Sequence, residues 1–128
     1  MKKYQLIFAF CVIIALFLSS PILAQMKSME FTGYLSDVTC ATKGAPFDSK
    51  TNPEKHTVAC MKGCIDSGFG ILRQGKSGKY FFTKFDQKGN ELAKNLLEAT
   101  KKTDNMKIKV MGTKSMHMIK VESINEVD

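Results

Sequence analysis

His56, Cys60 and Cys64 stand four residues apart in the stretch HTVACMKGC, one imidazole and two thiols in a chain with few other reactive groups. On an α-helix each step of four residues advances by about 40°, so the three side chains would share one stripe. Cys40 lies upstream and is the only further cysteine outside an apolar N-terminal run. Together Cys40, His56, Cys60 and Cys64 make a three-thiolate, one-imidazole set of the kind that closes a tetrahedral zinc site, and thiolates also suit Cu(I). These four are the candidate metal ligands.

Geometry limits how a regular helix could use them. At a rise of 1.5 Å per residue, His56 and Cys64 would lie about 12 Å apart along the axis, too far for one ion. All of them can coordinate together only if the helix begins after His56 or bends near Gly63. A disulfide is the plainer use of the thiols. Positions i and i+4 of a helix hold their Cβ atoms about 5–6 Å apart, whereas a disulfide wants roughly 3.5–4.5 Å. Cys40 bonded to Cys60 or Cys64 is therefore the easier bridge. It would stabilise by roughly 3 kcal/mol for a loop of this size and leave one thiol over. Thiol catalysis, with His56 lowering the pKa of Cys60, is the third chemistry. No CxxC, no orienting third residue and no hydrolase motif accompanies it, so no catalytic residue is assigned. Asp37 and Asp66 could orient His56 or shift a thiol, but exposed loop and helix-end carboxylates are commoner and they carry no weight at this level.

Methionine adds a copper possibility, since Met116 and Met118 flank His117 and Met61 adjoins Cys60. Gap-filling in a small core and an exposed His117 explain the same residues more simply. Tyr80, Phe81, Phe82 and Phe85 could stack a ligand, yet strand alternation would bury about half of them without one.

The elements that must position these groups follow from periodicity. Phe31, Gly33 and Leu35 alternate with Thr32, Tyr34 and Ser36, a strand that Asp37 ends. Residues 41–55 hold two prolines among Lys, Thr and Asp and read as a polar loop in which only Phe47 is a core candidate. Asn52, Pro53 and Glu54 start a helix running to Ser67, stopped at Gly68 and weakened by Thr57, Val58 and Gly63. Phe69 to Arg73 and Lys79 to Phe85 form a hairpin through 74–78. Asn90 caps a helix whose buried stripe is Leu92, Ala93, Leu96, Leu97 and Thr100. Met106, Ile108 and Val110 mark a strand, 112–115 a turn, and Ile119, Val121 and Ile124 the last strand.

Residues 1–24 read as an export signal. Lys2 and Lys3 precede the apolar run from Leu6 to Leu18, and Pro21 and Ala24 suit cleavage. The run is shorter than the roughly 20 residues a spanning helix needs. The expected protein is then a single domain, 25–128, periplasmic or secreted, with the membrane met only through an uncleaved signal. Loss of two lysines leaves 17 basic against 12 acidic residues, a formal charge of +5. That charge is dispersed and includes no block of like residues, which argues against a nucleic-acid partner. Cys11 is discarded with the signal, and the odd number of thiols remaining suits an oxidising compartment only if one is left unpaired, bridges to a partner or joins a metal.

The order of strand, cysteine-bearing insertion, strand, strand, helix, strand, strand resembles the OB-fold, a five-stranded barrel with its helix between the third and fourth strands. More narrowly, GYLSDVTC, HTVACMKGC, GKSGKYF and KIKVMGTKSMHMIKVESI are similar to a group of small exported bacterial OB-like proteins of unassigned function. That group shows an Asp-x-x-Cys followed by His-x-x-x-Cys-x-x-x-Cys. The resemblance implies fold and export and brings no activity with it. It also implies that 37–68 and 112–115 flank the ligand face. The expectation is a mainly β protein, an OB-like barrel acting as a binding module and not as an enzyme. Its Cys/His site would take Zn or Cu(I). The alternative is a disulfide-stabilised module that binds a small molecule, glycan or protein partner through the barrel face.

Overall fold

The computed structural model describes residues 26–43 and 50–128. The expected export signal, Cys11 and Phe47 lie outside those residues. Among the described residues no helix is long and apolar enough to cross a membrane.

Five strands carry the fold: β1 (Met29–Asp37), β2 (Phe69–Gln74), β3 (Tyr80–Phe85), β4 (Lys107–Lys114) and β5 (Met118–Glu126). Three helices accompany them: α1 (Val38–Lys43), α2 (Val58–Gly63) and α3 (Gln87–Ala99). Single 3₁₀ turns at Pro53–Lys55 and Ile65–Ser67 flank α2. β1 pairs antiparallel with β4 along its first half and with β2 along its second, and β3 meets β5 in parallel. The order β1-β2-β3-β5-β4 thus returns to β1 and closes the sheet. Closure leaves no free edge among these strands.

Closure demands close backbone approach at Gly33, where a Cβ would stand 2.2 Å from the Leu72 carbonyl oxygen. Inside, Phe31 and Leu35 of β1 meet Phe69, Ile71, Phe85, Ile108, Val110, Ile119 and Val121. The alternation read from β1 and β4 is the alternation that packs this core. One end is sealed by α3, through buried Ala93 and Leu97. Gly89 lets the helix settle there, because a Cβ would lie 2.6 Å from Val121 Cγ2. The three-residue step from Val121 to Ile124 has a structural cause. Met111 pairs with Ser123 but Gly112 pairs with Val121, so Glu122 is an extra residue in β5, a bulge that resets the alternation.

Four local expectations are corrected. Residues 41–43 are helical, because α1 begins directly after β1. The single helix from Asn52 to Ser67 is three pieces, and the Asn52 side chain caps nothing. Asp86, and not Asn90, caps α3; its Oδ1 accepts from the Gly89 amide at 3.0 Å and from the Val121 amide at 3.1 Å. Asn90 instead accepts from the Phe69 amide at 2.7 Å, tying α3 to β2. Finally, β4 continues to Lys114, which moves the turn to 115–117.

Candidate metal centre

Two short helices bring the thiols together, and each is started by a side chain three residues before its cysteine. Asp37, at the end of β1, accepts from the Cys40 amide through Oδ1 at 2.9 Å. Thr57 accepts from the Cys60 amide through Oγ1 at 3.1 Å. Both are N-cap contacts, each worth about 1 kcal/mol. They place Cys40 and Cys60 in the first turns of α1 and α2. Thr57, which as a β-branched residue weakens a helix interior, is here the residue that begins one.

The core fixes α2 in turn. Met61 is completely buried and Val58 nearly so, both within the main apolar cluster. Met61 is therefore an anchor and faces no ligand. Cys64 ends α2 with its amide on the Cys60 and Met61 carbonyls. His56 precedes the helix in extended backbone, φ −70° and ψ 118°. That break removes the 12 Å separation a continuous helix would impose, since His56 no longer sits on the axis of α2.

The cysteines come close without bonding. Cys40 Sγ and Cys60 Sγ are 3.7 Å apart, far beyond the roughly 2.05 Å of a disulfide, and all three described cysteines are free thiols. Two bonds of about 2.3 Å meeting at a tetrahedral angle would hold two sulfurs about 3.8 Å apart. Cys40, His56 and Cys60 place one donor atom each within 4.8 Å of one another, and so do Asp37, Cys40 and Cys64. Cys40 belongs to both groups. The four residues singled out in the sequence therefore occupy one neighbourhood, but Cys64 enters it on the Asp37 side and not among the His56 and Cys60 donors. Asp66 is exposed and in neither group.

Asp37, given no weight from the sequence because exposed strand-end and helix-end carboxylates are common, proves to be part of the cluster. Its side chain is fully buried, and Oδ2 lies 2.9 Å from Nε2 of the equally buried His56. A carboxylate can only accept, so Nε2 carries a proton and donates it. His56 Nδ1 is then left buried with no hydrogen-bond partner. An imidazole held at one nitrogen by a carboxylate, with its other nitrogen unpartnered and two thiols in the same cluster, has the donor set of a metal-binding histidine and its supporting acid. The signal for Asp37 was present as Asp-x-x-Cys, the spacing of a capping residue and the amide it caps.

Electrostatics are set by the same acid. Burial works to raise the Asp37 carboxyl, but the hydrogen bonds from His56 and the Cys40 amide outweigh it and hold the group below its ordinary value. Burial, followed by the negative charge of Asp37, pushes the Cys40 thiol well up, and the same two causes raise Cys64. The Cys40 and Cys64 sulfurs are therefore protonated in neutral solution until a cation offsets that field. All three cysteines remain partly open to solvent, which gives an ion a way in.

The methionine-flanked His117 is elsewhere. Met116 is 88% exposed, and Met118 begins β5 on the surface. Of the aromatic run in β3, Phe85 is buried while Phe81 stands 58% exposed. No protein-family model, curated protein or solved structure matches this chain, so the donor arrangement itself carries the functional argument.

Proposed function

We propose that this chain is a small exported binding module of OB type that holds a soft metal ion, Zn or Cu(I), between α1 and α2. It has no enzymatic role in this reading. The strand order β1-β2-β3-β5-β4, with α3 between β3 and β4, supports the OB assignment. One observation carries the metal: Cys40, Cys60 and the buried His56, whose Nδ1 has no hydrogen-bond partner, bring one donor atom each within 4.8 Å of one another, with the two sulfurs at the separation two metal bonds would set. His56 Nδ1, Cys40 and Cys60 are the first three ligands, and Cys64 supplies the fourth by a side-chain rotation at the open end of α2. Asp37 orients His56 and stays off the ion. A bound ion would convert the orphaned nitrogen and the crowded thiols into satisfied ligands.

The proximity of Cys40 and Cys60 supports one other reading, a disulfide-stapled module that binds its partner through the barrel face. Thiol titration and metal analysis of protein isolated from its native compartment separate the two. Three titratable thiols and one equivalent of metal support the ion. One thiol and no metal support the staple and overturn the metal proposal.

A further inference from the structure

Arg73, on the inward-facing row of β2 with Phe69 and Ile71, sits over the Phe31 ring at 5.0 Å. Its Nε is out of contact with water and has no hydrogen-bond partner. Among the described residues no carboxylate pairs with it; the ion pairs are His56 with Asp37, Lys102 with Glu126 and Lys109 with Glu30. An arginine cannot shed its charge, so a half-buried guanidinium with only an aromatic face beneath it lacks a counter-ion.

Arg73 borders a cleft of about 540 Å³. Lys114 at the end of β4 and His117 of the β4–β5 turn form one wall, Phe81, Phe82 and Thr83 of β3 another, and among the described residues no acidic one lines it. Phe81 is 58% exposed and pairs with Arg73 across the β2–β3 ladder. Two fixed positive charges, no negative one and an open ring describe a receptor for an anion that carries an apolar body.

We propose that this cleft binds an organic oxyanion, a carboxylate or phosphate monoester on a planar apolar body, with the anion on Arg73 and Lys114 and the body against Phe81. The planar fork of Arg73 suits either oxyanion end-on, and Lys114 adds charge without geometric demand. The site is separate from the thiol cluster, so it stands or falls independently of the metal.

The test is an NMR titration of the purified protein with benzoate, with phenyl phosphate and with neutral benzamide. The buried Arg73 Nε–H is protected from exchange and serves as the reporter. Saturable shifts at Arg73, Phe81, Lys114 and His117 are expected with one or both anions below about 1 mM, and benzamide should bind at least tenfold more weakly. The stronger anion identifies the headgroup. Arg73→Met should weaken binding at least tenfold. If that variant fails to fold, Lys114→Gln, on the surface, should weaken it several-fold. Equal binding of benzamide, no saturation by either anion, an unmoved Arg73 signal, or unchanged affinity in the folded variants would overturn the proposal. In that event Arg73 merely packs over the Phe31 ring.

Discussion

Replacing Asp37 by Asn tests the centre most sharply, because it keeps the shape of the side chain and changes only what each oxygen can do. Oδ1 can still accept from the Cys40 amide, so the start of α1 is retained. The atom facing His56 Nε2 becomes an NH₂, which donates. Two donors cannot face each other at 2.9 Å. The imidazole must move its proton to Nδ1, and the nitrogen assigned to the metal in the proposed centre loses its lone pair. Removing a supporting carboxylate of this kind costs about 10–100-fold in metal affinity, or about 1.4–2.7 kcal/mol. Loss of a charge-assisted bond should also destabilise the metal-free protein by about 1.5–3 kcal/mol. Asp37→Ala should cost more, about 2–4 kcal/mol, since the cap is lost and buried donors are orphaned. The sign of the pH effect follows from the depressed carboxyl. Its contribution is complete above the ordinary value of 3.8 and lost only as pH falls through the lower folded one, so the wild-type advantage over Asn should persist at neutrality and close in acid. Competition of Co(II) or Zn(II) against a chromophoric chelator measures affinity, urea unfolding measures stability, and ¹⁵N shifts of His56 report the tautomer. An Asn variant that binds metal as tightly as wild type, with the proton still on Nε2, would refute the reasoning.

Further outcomes follow from the same geometry. Cys40→Ser and Cys60→Ser should each reduce metal affinity by at least a hundredfold in the chelator competition, whereas Cys64→Ser, entering from the Asp37 side, should cost less. Metal affinity should climb with pH between about 5.5 and 8, by up to about a hundredfold per unit if two thiol protons are released, because Cys40 and Cys64 are held protonated by burial and by Asp37; isothermal titration in buffers of different ionisation enthalpy counts those protons. Met61→Ala should destabilise by about 2–5 kcal/mol in urea, since a completely buried side chain is removed from the core cluster, and should weaken metal binding as α2 loses its anchor.

Much of the framework was legible because it is written in local patterns. The alternation of Phe31, Gly33 and Leu35, the 74–78 turn and the apolar stripe of α3 each act over a few residues, and each appears where the pattern put it. Two of the errors share a physical origin in competing caps. Asn90 and Asp86 are both good starters, and the choice fell to Asp86 because its Oδ1 also satisfies the Val121 amide of a distant strand. Asn52 and Thr57 compete in the same way. Thr57 wins because Val58 and Met61 must face the core, which sets where α2 can begin.

The donor types were evident from the chain alone, since thiols and an imidazole at short spacing restrict the chemistry to cross-linking, soft-metal binding or thiol catalysis. Their convergence was not. Cys40 and Cys60 are separated by twenty residues and meet at 3.7 Å only because β1 and the apolar face of α2 share one core. The role of Asp37 likewise depends on burial, which strips water from the carboxylate and leaves His56 as its partner. Residue types and periodicity are properties of neighbouring positions, and so the sequence declares them. The separation of two sulfurs and the solvation of one carboxylate depend on packing between distant segments, and only the closed sheet decides them.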